Sequence, residues 1–383
     1  MPVLNKKTTG NSIILGLYLS IPMLSKVITS IVSFSNNVVI LSLLLLLCNA
    51  WFNAGFHFSR KYLGFQFAAL FIFAGFAAMP LINGSKYVFQ YLEAYILNSV
   101  LAVYFCSFER DDKITLKTIL AVYACYILMM LVKTIPEAQR TVYVKNAMEI
   151  SYSSLVGYAA ALFCLTFTKK KLPILAILAM LAVNTYYLLF LSDCRGAVLA
   201  LAVLFALLIL YYLKSRKNYW LIIFVVLALA AILLLFSGQI LEYLIENFQQ
   251  MRWLKRFEVV SYDITSGRGR LFELAGEMIK ENWLLGAGIG AFEVPANGQY
   301  THNLYLQLWV EFGCLFGTLF ALVFTVLFLR AVFQKEKDLF LFFLLPQILP
   351  RLLISSVHWN NMYIWVFLFV YLVNRKRLKA KRE

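Results

Sequence analysis

Apolar runs of roughly 18 residues or more recur along almost the whole chain, and each is long enough to cross ~30 Å of hydrocarbon as a helix. Among the features of these 383 residues, this one constrains the fold most. A hydrophobic share of 62% with only 14% charged residues is too apolar for a water-soluble fold of this length. The expected fold class is all-α integral membrane, with about twelve transmembrane helices and a helical extracytoplasmic loop subdomain.

The spans are expected at approximately 12–31, 37–56, 63–82, 88–107, 118–134, 151–168, 173–191, 196–213, 219–236, 303–330, 339–356 and 360–374. Three regions follow: 1–236 with transmembrane helices 1–9, 237–302 as a large loop with short helices, and 303–383 with helices 10–12 and a basic tail. An even number of crossings puts both termini on one side. Arg60, Lys61, Lys169, Lys170, Lys171, Lys214, Arg216, Lys217, Lys335, Lys337 and the tail RKRLKAKRE then share that side, which makes it cytoplasmic. Lys6 and Lys7 precede the first apolar run, no small-residue cleavage site follows, and the first helix is expected to be retained.

The net charge of +16 lies in short clusters between spans. That placement accounts for it as membrane topology and gives no nucleic-acid face. Of six cysteines, Cys48, Cys106, Cys125, Cys164 and Cys314 fall within spans and Cys194 near a helix end, so neither a disulfide framework nor metal-ligand spacing emerges. No metal and no cofactor are expected.

Segment 237–302 is the one long stretch that is neither apolar nor low-complexity, and the topology puts it outside. In LEYLIENFQQMRWLKRFEVV, Leu241, Leu244, Ile245 and Phe248 have helical spacing, which predicts an interfacial helix with Arg252, Lys255 and Arg256 toward headgroups. In SGRGRLFELAGEMIKENWLLGAGIGAF, Leu271, Leu274, Ala275 and Met278 share one face of a short helix that a glycine-rich turn follows. Gly286, Gly288 and Gly290 neither follow a strand nor open a helix, so close backbone packing or approach of a phosphate explains them better than a dinucleotide fingerprint.

Ionisable residues in the outer half of a membrane are costly unless they have partners or a task. Arg195 opens the eighth span, Arg268 and Arg270 lie in SGRGR, and His302 begins the tenth span; the topology gives all four one level. Guanidinium groups fork onto phosphate oxygens and stay charged, which suits a departing diphosphate. An imidazole titrating near neutrality can accept a proton from an attacking sugar hydroxyl. Taken singly, each residue has a plainer reading: Arg195 snorkels to the interface, Arg268 and Arg270 bind anionic headgroups, and Thr301, His302 and Asn303 form an N-cap. Arg351 and His358, bordering the last outside turn, and Asn303 and Glu311 are supporting candidates.

TSGRGRLFELAGEMIKENWLLGAGIGAF followed by THNLYLQLWVEFGCLFG resembles the C-terminal signature of the O-antigen ligase and O-antigen polymerase superfamily, and SDCRGAVLALAV resembles its Ser-Arg-Gly-Ala helix start. The likeness covers about 65 residues of the chain. It implies a metal-independent glycosyltransferase of the bacterial inner membrane, with both termini cytoplasmic and the active site facing the periplasm. The implied donor is a glycan on undecaprenyl diphosphate, and the acceptor is lipid A-core sugar for a ligase or a lipid-linked glycan for a polymerase. Membrane lipids are further partners; nucleic acid is not. By the same resemblance Arg195 and Arg268 hold the diphosphate, with Arg270 less directly matched, and His302 activates the acceptor. Three positions depart from the pattern: Cys194 replaces serine, Trp283 replaces proline, and Gly317 falls one residue late.

Ligase is favoured over polymerase because only one sizeable outside loop is present. A lipid-linked oligosaccharide flippase or transporter is the rival from another class, against which most spans lack mid-membrane ionisable residues. A non-catalytic assembly or sensor protein is a third reading.

Overall fold

The computed structural model describes residues 6–32, 36–140, 147–213, 246–247, 250–252, 268–334, 338–354 and 357–373. In chain order its helices are α1 (Lys6–Leu19), α2 (Ile21–Ile31), α3 (Asn37–Asn53), α4 (Arg60–Ile82), α5 (Tyr87–Cys106), α6 (Asp112–Arg140), α7 (Ala147–Leu165), α8 (Lys171–Leu191), α9 (Arg195–Leu213), α10 (Gly269–Glu281), α11 (Leu304–Phe333), α12 (Leu339–Ile354) and α13 (Met362–Val373). No strand occurs among the described residues.

Seven of these helices, α4 to α9 and α11, are long and apolar enough to cross a membrane. An eighth crossing results if α1 and α2, which meet at 66°, form one broken span. Pro22 lacks the N–H that would continue α1, and the chain bends there. Helices α3, α12 and α13 are apolar but shorter. The expected span 219–236 lies outside the described residues, as do Lys255 and Arg256, so the structure supports a multi-span helical membrane protein without fixing the count at twelve.

Close helix approach rests on small residues, the packing mode available where lipid supplies no hydrophobic drive between helices. A Cβ on Gly16 of α1 would stand 2.8 Å from the Thr115 carbonyl oxygen of α6, and one on Gly157 of α7 would overlap the Tyr123 ring. Polar side chains add hydrogen bonds inside the bundle: Asn53 Nδ2 donates to Asn11 Oδ1 at 2.9 Å, and Asn184 Nδ2 to Tyr123 Oη at 2.8 Å.

One end of the bundle is built from interrupted helices. Pro80 sits inside α4 and cannot donate to the Phe76 carbonyl, which instead accepts the Ile289 N–H at 2.8 Å. Helix α11 widens into a π-type turn over Gly313–Gly317, with Gly313 at φ +69°. Its freed Val310 and Glu311 carbonyls accept from Ala287 N (2.7 Å) and Gly288 N (3.2 Å), and Cys314 N donates back to the Trp283 carbonyl (2.7 Å). The 283–290 loop thus completes the hydrogen bonding of two broken helices. Gly286, Gly288 and Gly290 all have positive φ, and a Cβ on Gly286 would fall 2.4 Å from Gly313 N. Of the two roles open to these glycines, backbone packing is the one observed; the N–H groups of Ala287, Gly288 and Ile289 are spent on carbonyls. The late Gly317 sits at the end of the wide turn, where a Cβ would approach the Leu308 carbonyl to 2.6 Å.

Helix α10 caps this end. Leu271 and Ala275 are buried with Phe292, Ala296 and Val310, and Leu274 and Met278 pack against them, so the expected apolar face is the one used. Arg252 is turned toward protein instead of headgroups: its Nη2 donates to the Ala138 carbonyl at 2.6 Å, satisfying an orphan acceptor in the last turn of α6.

Candidate active site

The sequence-predicted residues gather at that same end, where α4, α6, α8 and α12 finish and α5, α7, α9, α11 and α13 begin. Arg195 is the first residue of α9 and half-buried. Beside it, Cys194 N donates to Ser192 Oγ at 3.1 Å, and Ser192 Oγ pairs with Ser151 Oγ of α7 at 2.7 Å, fixing the approach to the helix. Arg351 lies near the end of α12 with its guanidinium 5.0 Å from the centre of the Tyr152 ring. It is also within electrostatic reach of Cys194, Tyr300 and Tyr363.

Tyr300 joins the two sides of the site. Burial pushes its hydroxyl up from the usual phenol range, and the positive charges of Arg268 and Arg351 both act against that. Its ring lies 4.1 Å, centre to centre, from the His302 imidazole. Arg268, Arg351, Tyr300 and His302 are therefore one group, with Arg195 adjoining through Cys194. Arg270 is exposed on the first turn of α10 and is not among the charges that act on Tyr300.

His302 adopts φ +56°, left-handed backbone that a non-glycine residue takes only when its surroundings impose it. The residues on both sides are pinned. Thr301 Oγ1 donates to the Asn303 carbonyl at 2.9 Å and accepts the Asn303 N–H at 3.3 Å. Asn303 Oδ1 accepts from Tyr305 N (2.9 Å) and Leu306 N (3.2 Å), the N-cap the sequence suggests. The cap is carried by the Asn303 side chain, which leaves the half-buried His302 imidazole outside it.

Beneath this turn lies a buried polar cluster of which the sequence had marked Glu311 and His358 alone. Gln307 Nε2 donates to Glu311 Oε1 at 2.7 Å and to Glu293 Oε1 at 3.3 Å, while its Oε1 accepts the Thr301 N–H at 3.2 Å. Tyr91 of α5 donates its hydroxyl to Glu293 Oε1, and Trp359 Nε1 donates to Glu311 Oε2 at 3.0 Å. Glu293 is 3% exposed, and burial raises its carboxyl above the usual range against the hydrogen bonds that would lower it. His358 Nε2 stands 3.5 Å from Glu311 Oε2, outside hydrogen-bond geometry, and burial lowers the imidazole to about 3. It is neutral at physiological pH. Among the described residues no group of three or more His, Cys, Asp or Glu could hold a metal ion.

From this cluster an apolar cavity of about 340 Å³ runs between α4, α11 and α13, lined by Phe65, Ile72, Leu308, Phe312, Trp365 and Leu368 among others, with His358 and Trp359 on its wall.

Residues 175–322 match the family model for O-antigen ligase. The matched stretch contains Arg195, Arg268, His302 and Glu311, and it supports the O-antigen ligase and polymerase superfamily that the motifs resemble. An O-antigen ligase- or polymerase-type membrane glycosyltransferase is what this match implies. Tyr91, Arg351 and His358, which complete the two clusters, lie outside the O-antigen ligase match and come to it through the fold. No curated protein matches the chain.

Proposed function

We propose that the protein transfers a glycan from undecaprenyl diphosphate to a sugar hydroxyl at the periplasmic face of the inner membrane, and that the acceptor is lipid A-core, as in O-antigen ligation. The observation that carries this reading is the grouping of Arg268, Arg351, Tyr300 and His302 at one end of the bundle, beside the helix that Arg195 opens. Arginines at that level can neutralise the charge that grows on the departing diphosphate, and they do so best where water is scarce. His302 takes the proton from the attacking hydroxyl. The carbon–oxygen bond to the phosphate breaks as the new glycosidic bond forms, and the diphosphate leaves on its lipid. The apolar cavity reaching down from Trp359 has the character an isoprenoid tail requires.

Arg60 and Lys61 at the start of α4 and Lys169, Lys170 and Lys171 at the start of α8, at the helix ends opposite the site, support cytoplasmic termini together with the distribution of lysine and arginine in the sequence. The division into 1–236, 237–302 and 303–383 gives the donor a membrane body and a capping loop. A polymerase would use the same arrangement with a lipid-linked repeat as acceptor. Concentration of the ionisable groups at one level favours an enzyme over a flippase, which needs them along a path.

The test is transfer in a static bilayer with purified lipid-linked donor and either acceptor. Covalent attachment to lipid A-core with loss of at least ~10²-fold in His302→Ala is the expected result. Product made only with lipid-linked acceptor assigns a polymerase, and undiminished transfer by both His302→Ala and Arg268→Ala removes the proposed site.

A further inference from the structure

We infer that Gln307 is the positioning residue of the His302 turn, tying that turn to the buried pair Glu293 and Glu311. The inference rests on the catalytic reading of His302 for its effect on rate, although the positioning itself is read from the geometry.

Gln307 is 1% exposed and uses both faces of its amide. Its oxygen accepts the N–H of Thr301, the residue before His302, and its two N–H bonds go to two different carboxylates. Each carboxylate is anchored elsewhere. Glu293 is held by Tyr91 on α5, and Glu311 by Trp359 in the turn between α12 and α13. Trp359 is itself fixed, since Asn98 Nδ2 donates to its carbonyl at 3.2 Å and its ring packs against Phe73 at 5.1 Å. One side chain therefore connects the backbone beside His302 to α5 and to the segment after Arg351.

The connection has something to resist. His302 is a non-glycine residue at φ +56°, a conformation that relaxes unless neighbouring bonds over-determine it. On its C-terminal side the Asn303 cap does this. On its N-terminal side the bond from Thr301 N to Gln307 is the tie that leads into the core. A carboxylate in place of Gln307 would accept from Thr301 but face Glu293 and Glu311 with no donor; an aliphatic side chain would do neither.

Histidine-selective ¹⁵N labelling of the full chain in nanodiscs reads the placement directly, because the chain has three histidines, and His57, hydrogen-bonded to the Asn53 carbonyl at 2.9 Å, serves as the internal control. Gln307→Leu is expected to shift or split the His302 ring signals, to leave those of His57 unchanged, and to lower kcat at least ~20-fold with the donor KM within about twofold. Gln307→Glu alone should lose activity similarly, and the exchange of Gln307→Glu with Glu311→Gln should recover at least about fivefold of that loss, since a donor again faces an acceptor across the 2.7 Å contact while Glu293 is left without its donor. This exchange also decides the matter if Gln307→Leu does not fold. Unmoved His302 signals in Gln307→Leu, or a folded exchange variant that stays inactive, overturns the inference. Retained transfer in His302→Ala overturns the catalytic reading instead, and the ring signals still report on positioning.

Discussion

Arg110 holds its guanidinium 4.6 Å from the centre of the Phe340 ring, joining the turn before α6 to the start of α12 at the end of the bundle opposite the site. The same group donates from Nε to Asp112 Oδ1 at 3.1 Å and from Nη1 to the Cys106 carbonyl at 2.8 Å, and it faces Asp338, whose carboxyl burial pushes up. Arg110→Ala is expected to cost up to about 3 kcal/mol, below the value for a wholly buried pair because Asp112 is partly exposed. Thermal unfolding in detergent should show the loss, and activity per folded molecule should stay within twofold.

Gly286 has φ +79° and no room for a Cβ against Gly313 N and the Glu311 carbonyl. Gly286→Ala should therefore lose about 1–3 kcal/mol from backbone conformation alone, with a further cost from the clash. Limited proteolysis is the measurement: cleavage between 283 and 290 should appear in the variant and not in the parent chain.

His358 supplies a pH dependence of stability. Its folded value of about 3 lies below the ordinary histidine value, so between pH 6.5 and 3 the unfolded chain binds a proton that the folded chain does not. Stability is fully present above pH 6.5 and is lost as pH falls, by roughly 1.4 kcal/mol per unit at most. Glu293, raised by burial, acts in the opposite direction just above its unfolded value. The informative quantity is hence the difference in Tm between pH 7 and pH 5, which should shrink in His358→Asn; an unchanged difference would show that this imidazole is not the group responsible.

Arg268 and Arg351 act on Tyr300 together, and their chemistry is not interchangeable with lysine. Arg268→Lys is expected to keep donor binding within about fivefold and to lower kcat by ~10²-fold, the size of a lost preorganised donor. Tyr300→Phe should leave both within threefold, since the ring is retained against His302. Equal activity of Arg268→Lys and the parent would mean that charge alone suffices.

Much of the fold was legible in the sequence because a bilayer imposes length and polarity together: an apolar run of sufficient length has one stable solution, a helix. Arg195, Arg268 and His302 stood out because ionisable residues at the outer ends of the expected spans are few, whereas the cytoplasmic ends carry many. The Asn303 cap was legible for the same reason, a side-chain acceptor directly before an apolar run. Glu293, Gln307 and Tyr91 were not legible. Each is an isolated polar residue in ordinary surroundings, and their meeting depends on a chain reversal that brings residues about 200 positions apart into contact. Nor was the interlock of the 283–290 loop, because Pro80 and Gly313 announce broken helices without saying which segment repairs them. One signal could have been used: an interior proline frees a carbonyl four residues earlier, and inside a membrane that carbonyl must find a donor.

That repair has a consequence for biosynthesis. The acceptor at Phe76 and the Ser85 hydroxyl, which donates to the Gly290 carbonyl at 2.7 Å, enter the bilayer long before their counterparts leave the ribosome. Until translation passes position 290, the first half of the protein waits with its outer rim unfinished. Split halves produced from two messages should accordingly associate more weakly when the second begins downstream of position 290 than when it begins upstream of Trp283, because the rim is then left without its partners.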